Sequence, residues 1–144
     1  MNLISNTSAE SAYDIWLNNY GNEVMIWTYL SNRSLSGCTL LTADVSFGGA
    51  YGVPVEKWDL CRYGSGEIVW YLDQQSLGTG TSTVYGLNAG SVDIYAMLMW
   101  LENNGYLASS TYLTQIEYGF EICSTGGVNE EFEVTGLTIT ASHT

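Results

Sequence analysis

Proline, histidine and basic side chains are nearly missing from this sequence. It contains 1 Pro, 1 His and 3 Lys or Arg against 15 Asp or Glu, for a formal net charge of −12. Nucleic acids and anionic membrane surfaces require cationic patches, so we expect neither as a partner. The single histidine, His143, lies near the end of the chain and is a poor candidate for a metal ligand or a catalytic base. We therefore predict no metal and no cofactor.

Long apolar runs are also missing, and none approaches the length that spans a membrane. Residues 1–6 have neither a basic n-region nor an apolar h-region, so we do not expect them to form a signal peptide. If the protein is secreted, we expect that a leader has been removed or that the chain is a piece of something longer.

Cysteine occurs only three times, at Cys38, Cys61 and Cys123. Three cysteines allow one disulfide and one remaining thiol, and the sequence does not choose the pair. No Cys-x-x-Cys spacing occurs, which also argues against a zinc site.

The residues that are abundant favour an all-β protein. Of 144 residues, 46% are hydrophobic and 13% aromatic, and 16 are glycine. This length and composition predict one globular domain over residues 1–144, built from short strands and glycine-rich turns. An acidic protein rich in Tyr and Trp suits a neutral ligand such as a polysaccharide, although the acidity can equally serve solubility alone.

Two alternating runs near the start predict a β-hairpin, with residues 13–17 and 23–27 as strands and residues 18–22 as the turn. Glu23, Met25 and Trp27 share one face of the second strand. A carboxylate beside Met and Trp indicates a cleft, whereas the alternative is a glutamate at a sheet edge that faces water. We expect residues before Ser11 to be loose.

The second half predicts one helix and two long strands. The helix is expected to begin with Ser91 as its N-cap and to stop at Gly105. The strand over residues 111–121 places Glu117 and Glu121 on the same face, and the last strand is expected over residues 131–141.

The runs YDIWL at 13–17 and EVMIW at 23–27 resemble the nucleophile region of glycoside hydrolase family 12, which comprises retaining β-1,4-glucanases and xyloglucanases. The run LTQIEYGFE at 113–121, followed by Gly126-Gly127, is similar to the acid/base strand of that family. The resemblance covers nearly the whole chain from Ser11 onward. Family members begin well before the first run, and Phe120 replaces the usual threonine before the acid/base glutamate.

The resemblance implies a β-jelly-roll sandwich of two antiparallel sheets with one α-helix packed on the outside. It implies Glu23 as the nucleophile and Glu121 as the acid/base, with Asp14 modulating Glu23 if the hairpin register brings them together. Met25 and Trp27 would line the sugar-binding floor. Glu117 shares the parity of Glu121 and is its rival for the acid/base role.

The implied function is a secreted, retaining endo-β-1,4-glucanase that hydrolyses the β-glucan polysaccharides cellulose or xyloglucan. One alternative is a truncated, non-catalytic β-sandwich that binds polysaccharide, and another is an interaction module unrelated to carbohydrate. Missing strands would expose sheet edges, so self-association or a completing segment is also expected.

Overall fold

The computed structural model of the chain describes residues 7–47, 57–72, 84–86 (backbone only) and 90–141. These residues form seven strands and one helix. In chain order they are β1 Ser8–Leu17, β2 Asn22–Ser31, β3 Cys38–Val45, β4 Trp58–Tyr63, β5 Ile68–Leu72, β6 Val84–Gly86, α1 Ile94–Asn103 and β7 Leu113–Ser124.

The seven strands belong to one mixed sheet with the order β3-β4-β5-β2-β1-β7, in which β6 pairs with the end of β2. Strands β2 and β5 run parallel, and the other pairings described are antiparallel. The expected all-β class with a single helix on the sheet is therefore confirmed. The described strands make one continuous sheet.

The predicted hairpin is confirmed, and its register places Trp16 opposite Glu23 and Asp14 opposite Met25. The expectation that residues before Ser11 are loose was wrong for residues 7–10, the part of that segment that the structure describes. Strand β1 begins at Ser8 and pairs with both β2 and β7, so Ala9 and Glu10 are each only 1% exposed. Backbone pairing on both edges compensates for the polar character of this segment.

The sheet has one apolar face that packs against the helix. Alternate residues of β1, β2 and β5 are buried there, and Met97 and Leu101 of α1 contact them. Burying each such aliphatic side chain contributes about 1.5–3 kcal/mol. The buried set includes Ile15, Leu17, Val24, Ile26, Leu60, Ile68, Trp70 and Leu72. The helix is thus held on one side, which leaves the other face of the sheet for the acidic residues.

Helix α1 begins two residues later than the sequence predicts. Asp93, not Ser91, is the N-cap, because its side chain accepts a hydrogen bond from the backbone N–H of Ala96 at 2.9 Å. Gly105 follows the helix with φ of 77°, as expected for a left-handed stop. Within the described residues, no helix is both long and apolar enough to cross a membrane.

The strand predicted over residues 131–141 is wrong, because this segment forms no strand in the structure. Val134, Leu137 and Ile139 are 41–48% exposed. An alternating pattern becomes a strand only when a neighbouring strand supplies hydrogen bonds, and none of the described strands pairs with this segment. Strand β7 instead runs past its predicted end to Ser124. The sequence also predicts a strand over residues 53–63; its second half is confirmed as β4, and residues 53–56 lie outside the described residues.

The disulfide joins Cys38 of β3 to Cys61 of β4, and Cys123 is free and exposed. This pairing closes a loop with a sequence separation of 23 residues. The disulfide cross-links β3 to the more buried strand β4. β3 lies at one end of the strand order.

Replacing Cys61 with Ser should lower the free energy of unfolding by about 3 kcal/mol, since a cross-link of this loop length restricts the unfolded chain by roughly that amount. Urea unfolding of the two proteins without reductant measures the difference. Cys123→Ser is the matched control and should unfold like the wild type. An equal loss in both variants would contradict a stabilising role for the disulfide.

Candidate active site

Strand β1 carries the register that brings the acidic residues onto one face of the sheet. Trp16 lies opposite Glu23 of β2, and Glu10 lies opposite Glu121 of β7. Residues 10, 12, 14 and 16 of β1 alternate away from the helix-packed face. The predicted site residues Asp14, Glu23 and Glu121 therefore share this face with Met25 and Trp27.

The Asp14 and Glu23 side chains lie close enough for each to affect the pKa of the other. Glu23 is half-buried, and its pKa is raised from 4.5 to about 7. Burial is the main cause, and repulsion from the Asp14 and Glu67 carboxylates adds to it. Burial, followed by repulsion from Glu117, also raises the pKa of Asp14.

Glu121 is held by Arg33, which lies in the loop after β2. The Arg33 Nη2 atom donates to Oε1 of Glu121 at 3.2 Å and to Oε1 of Glu10 at 3.0 Å, while Nε contacts the other oxygen of Glu10. The Arg33 Nη1 atom also donates to the Cys123 sulfur at 2.7 Å. One guanidinium thus joins two carboxyls and a thiol on the same face.

Glu10 is a site residue that the sequence reasoning missed. Its side chain is fully buried, whereas the Glu121 side chain is 52% exposed. Burial and a hydrogen bond with Glu121 raise the pKa of Glu10 from 4.5 to about 8, and Arg33 opposes this rise. The sequence did contain a signal for Glu10: it lies four residues before Asp14, and residues an even number apart fall on one face of an extended strand.

Glu67 precedes β5 and completes the group that we name the acidic cluster. Its pKa is raised by burial and by repulsion from Glu121 and Asp14. The cluster consists of Glu10, Asp14, Glu23, Glu67 and Glu121. The described residues contain all three basic side chains of the chain, and Arg33 alone faces this cluster. Lys57 pairs with Asp44, and Arg62 lies over the ring of Tyr106.

Met25 and Trp27, predicted as the sugar-binding floor, are 8% and 1% exposed. The Arg33 guanidinium covers the Trp27 ring at 5.3 Å from its centroid, and the indole N–H donates to the Met25 sulfur at 3.4 Å. Their contact with sugar stays a prediction. Trp16, opposite Glu23 on the same face, is only half-buried and offers a more accessible aromatic surface.

The register separates Glu23 from Glu121 along the strands. Their partners on β1, Trp16 and Glu10, are six residues apart, which corresponds to roughly 20 Å of extended backbone. The Glu121 charge is nevertheless among those that raise the pKa of Glu23. The rival residue Glu117 lies opposite Asp14, nearer to Glu23 in register, and is exposed.

No family model matches the chain, and no curated protein matches it significantly. Solved structures do share its fold. One is endoglucanase cel12A from Rhodothermus marinus, with a TM-score of 0.56 and 22% identity over 83% of this chain and 50% of that one. Another is a metagenome-derived glycoside hydrolase family 12 endoglucanase, with a TM-score of 0.54, 23% identity and coverage of 84% and 50%.

A third similar structure is the xyloglucanase domain of NopAA, a type three effector from Sinorhizobium fredii, in complex with cellobiose. Its TM-score is 0.53, with 23% identity over 88% of this chain and 57% of that one. The resemblance to glycoside hydrolase family 12 is thereby confirmed in the fold. This chain spans about half the length of these structures.

Glu10 makes stability dependent on pH in a defined direction. Between its ordinary value of 4.5 and its folded pKa of about 8, the folded state binds the proton and the unfolded state does not. Its stabilising contribution is complete below this window and is lost as the pH rises through it. As the pH rises through this window, the free energy of unfolding should fall less steeply in Glu10→Gln than in the wild type. The two slopes should differ by up to about 1.4 kcal/mol per pH unit.

Urea unfolding at several pH values between 5 and about 8.5 measures that slope. Arg33 stays charged throughout, so the loss of its partner shifts the variant's whole curve without changing the slope. Glu133→Gln, an exposed change of the same type, is the control. Identical slopes in the wild type and Glu10→Gln would contradict a proton on Glu10.

Proposed function

We propose that this protein is a retaining endo-β-1,4-glucanase that hydrolyses cellulose or xyloglucan. The observation that carries the proposal is the half-buried Glu23, beside Asp14 on the sheet face that also presents Glu121. Perturbed carboxyls gathered on one face are typical of acid–base sites. The fold shared with an endoglucanase and a xyloglucanase domain supports the choice of substrate.

In the first step, a Glu23 oxygen attacks the anomeric carbon as the bond from that carbon to the leaving sugar breaks. Glu121 donates a proton to the departing oxygen, so the leaving chain ends in a hydroxyl. In the second step, Glu121 takes a proton from water, whose oxygen attacks the same carbon and releases Glu23. The anomeric configuration is retained because two displacements occur.

Asp14 sets the pH at which Glu23 can act. The nucleophile must be ionised, and its pKa of about 7 means that activity rises as the pH passes through that value. Burial is the main cause of this raised pKa, and repulsion from Asp14 raises it further. A glucanase with this arrangement works best at neutral to mildly alkaline pH.

A non-catalytic β-sandwich that binds polysaccharide is the second candidate. It is favoured by the register separation of Glu23 from Glu121, and by the chain spanning about half the length of the similar structures. A completing segment or a second copy of the chain would supply the remaining wall of a cleft. Since cellulose and xyloglucan are polymers of the cell wall, either function requires export of the protein.

Replacing Glu23 with Gln should reduce the release of reducing ends from carboxymethyl cellulose and xyloglucan by about a thousandfold or more, because the nucleophile is lost. Glu102→Gln on the helix is the control and should match the wild type. Wild-type rates in Glu23→Gln would contradict the assignment of Glu23 as the nucleophile. A folded wild type that binds glucan but releases no reducing ends would support the second candidate instead.

Glu121 and its rival Glu117 can be separated by replacing each with Ala and assaying 2,4-dinitrophenyl β-cellobioside, whose leaving group needs no proton. Loss of the acid/base slows the second step about a hundredfold or more, and azide restores turnover because it attacks without a base. We expect azide rescue in Glu121→Ala, with β-cellobiosyl azide as the product. Rescue confined to Glu117→Ala would transfer the role to that residue.

Asp14→Asn should move the acidic limb of the pH dependence of kcat/KM to lower pH. In the wild type this limb should lie near 7, the pKa of Glu23, and removing the Asp14 charge lowers that pKa. The pH profile on xyloglucan measures the shift, with Asp44→Asn as the control outside the cluster. A limb that stays in place, or moves to higher pH, would show that Asp14 does not act on Glu23.

A further inference from the structure

The Glu10–Glu121 pair has a feature that the proposed mechanism does not use. The two residues are direct partners across β1 and β7, and a single guanidinium, that of Arg33, contacts both side chains. Burial, with the neighbouring Glu121 adding to it, raises the pKa of Glu10 to about 8, so Glu10 carries a proton at neutral pH. The pair therefore places a protonated, buried carboxyl beside an exposed one.

Arg33 makes both positions of that proton tolerable. Its Nη2 atom touches Oε1 of both glutamates, at 3.0 Å for Glu10 and 3.2 Å for Glu121. Whichever carboxyl is ionised thus has a guanidinium partner. With the proton on Glu10, Arg33 pairs with the Glu121 carboxylate; with the proton on Glu121, the two-pronged contact to Glu10 becomes a buried ion pair.

We propose that Glu10 stores the proton that Glu121 delivers to the leaving group, with Arg33 as the positioning residue that keeps the two carboxyls together. This inference rests on the proposed hydrolase function and adds a second carboxyl to it. The proton passes from an oxygen of Glu10 to an oxygen of Glu121, leaving Glu10 as the carboxylate paired with Arg33. Glu121 then protonates the glycosidic oxygen as the anomeric bond breaks.

The second step of the reaction returns the proton to Glu10. Glu121 removes a proton from the attacking water, and this proton returns to Glu10, so each turnover leaves the pair unchanged. The charged and titratable groups that face the pair come from several parts of the fold. They are Asp14 on β1, Glu23 on β2, Arg33 after β2, Tyr63 at the end of β4, Glu67 before β5 and Cys123 on β7.

Glu10→Gln keeps the shape of the side chain but cannot pass on a proton, and it leaves Glu121 as the only carboxylate on Arg33. The test compares kcat/KM on phenyl and 2,4-dinitrophenyl β-cellobioside, because only the phenyl compound needs a proton on departure. We expect a loss of about tenfold or more on the phenyl compound and less than about twofold on the dinitrophenyl one. Glu10→Asp, which can still carry the proton, should recover part of the loss.

Glu102→Gln on the helix is the matched control, since it removes a carboxyl that lies outside the acidic cluster. It should leave both rates unchanged. Equal losses on the two compounds in Glu10→Gln would mark a structural role and overturn the proposal, and so would unchanged rates on both.

Carbon-13 NMR of protein labelled at the glutamate carboxyls measures the proton on Glu10 without an activity assay. We expect one carboxyl that stays protonated to about pH 8, that disappears in Glu10→Gln and persists in Glu23→Gln. In Glu121→Gln the same signal should titrate at lower pH, because Glu121 raises its pKa. A wild type without hydrolysis refutes the proposed function, whereas absence of this carboxyl refutes the proton store whatever the activity.

Discussion

The register of strand β1 is the constraint on which the rest of the structure depends. Because side chains alternate along a strand, a slip of one residue would exchange its two faces. Ile15 and Leu17 would leave the helix-packed core, while Glu10 and Asp14 would enter it without Arg33. Burying unpaired carboxylates costs several kcal/mol each, so the apolar and the acidic faces select the same register. The site is therefore positioned by the same pattern that builds the core.

Charge repulsion is the second organising feature, and it explains the place of Arg33. A chain with a net charge of −12 gathers five carboxyls on one face of its sheet, although only three of its residues are basic. Protonation and a single guanidinium relieve the repulsion: Glu10 and Glu23 take up protons near neutral pH, and Arg33 neutralises the Glu121 side. The fold thus makes charge costly on Glu10, the buried neighbour of Glu121, and on Glu23.

The hairpin and the single helix could be predicted from sequence, because alternation and turn residues act over short distances. The sequence did not fix the hairpin register that places Asp14 on the face of Glu23, and the role of Glu121 rested on the resemblance. Glu10 and Arg33 could not be predicted. The segment before Ser11 is polar and becomes a strand only because β2 and β7 supply hydrogen bonds on both sides. Arg33 reaches Glu121, 88 residues away in sequence, and that contact depends on tertiary pairing. The strand predicted over residues 131–141 failed for the opposite reason, since the pattern was present without a partner strand.

The separation of Glu23 and Glu121 along β1 bears on how the two carboxyls cooperate. A direct double displacement requires carboxyl groups about 5–5.5 Å apart, and six residues of extended strand exceed that distance unless the strands curve and both side chains lean inward. The pairing of β1 with β2 has a register irregularity between Ser11 and Ala12, where Thr28 of β2 has no partner residue in β1. A bulge of this kind bends a strand, and along the sheet it lies between the two glutamates. Curvature at this point would draw Glu121 toward Glu23 while Arg33 keeps Glu10 and Glu121 together, so this bulge in β2 is the feature on which the hydrolase geometry depends.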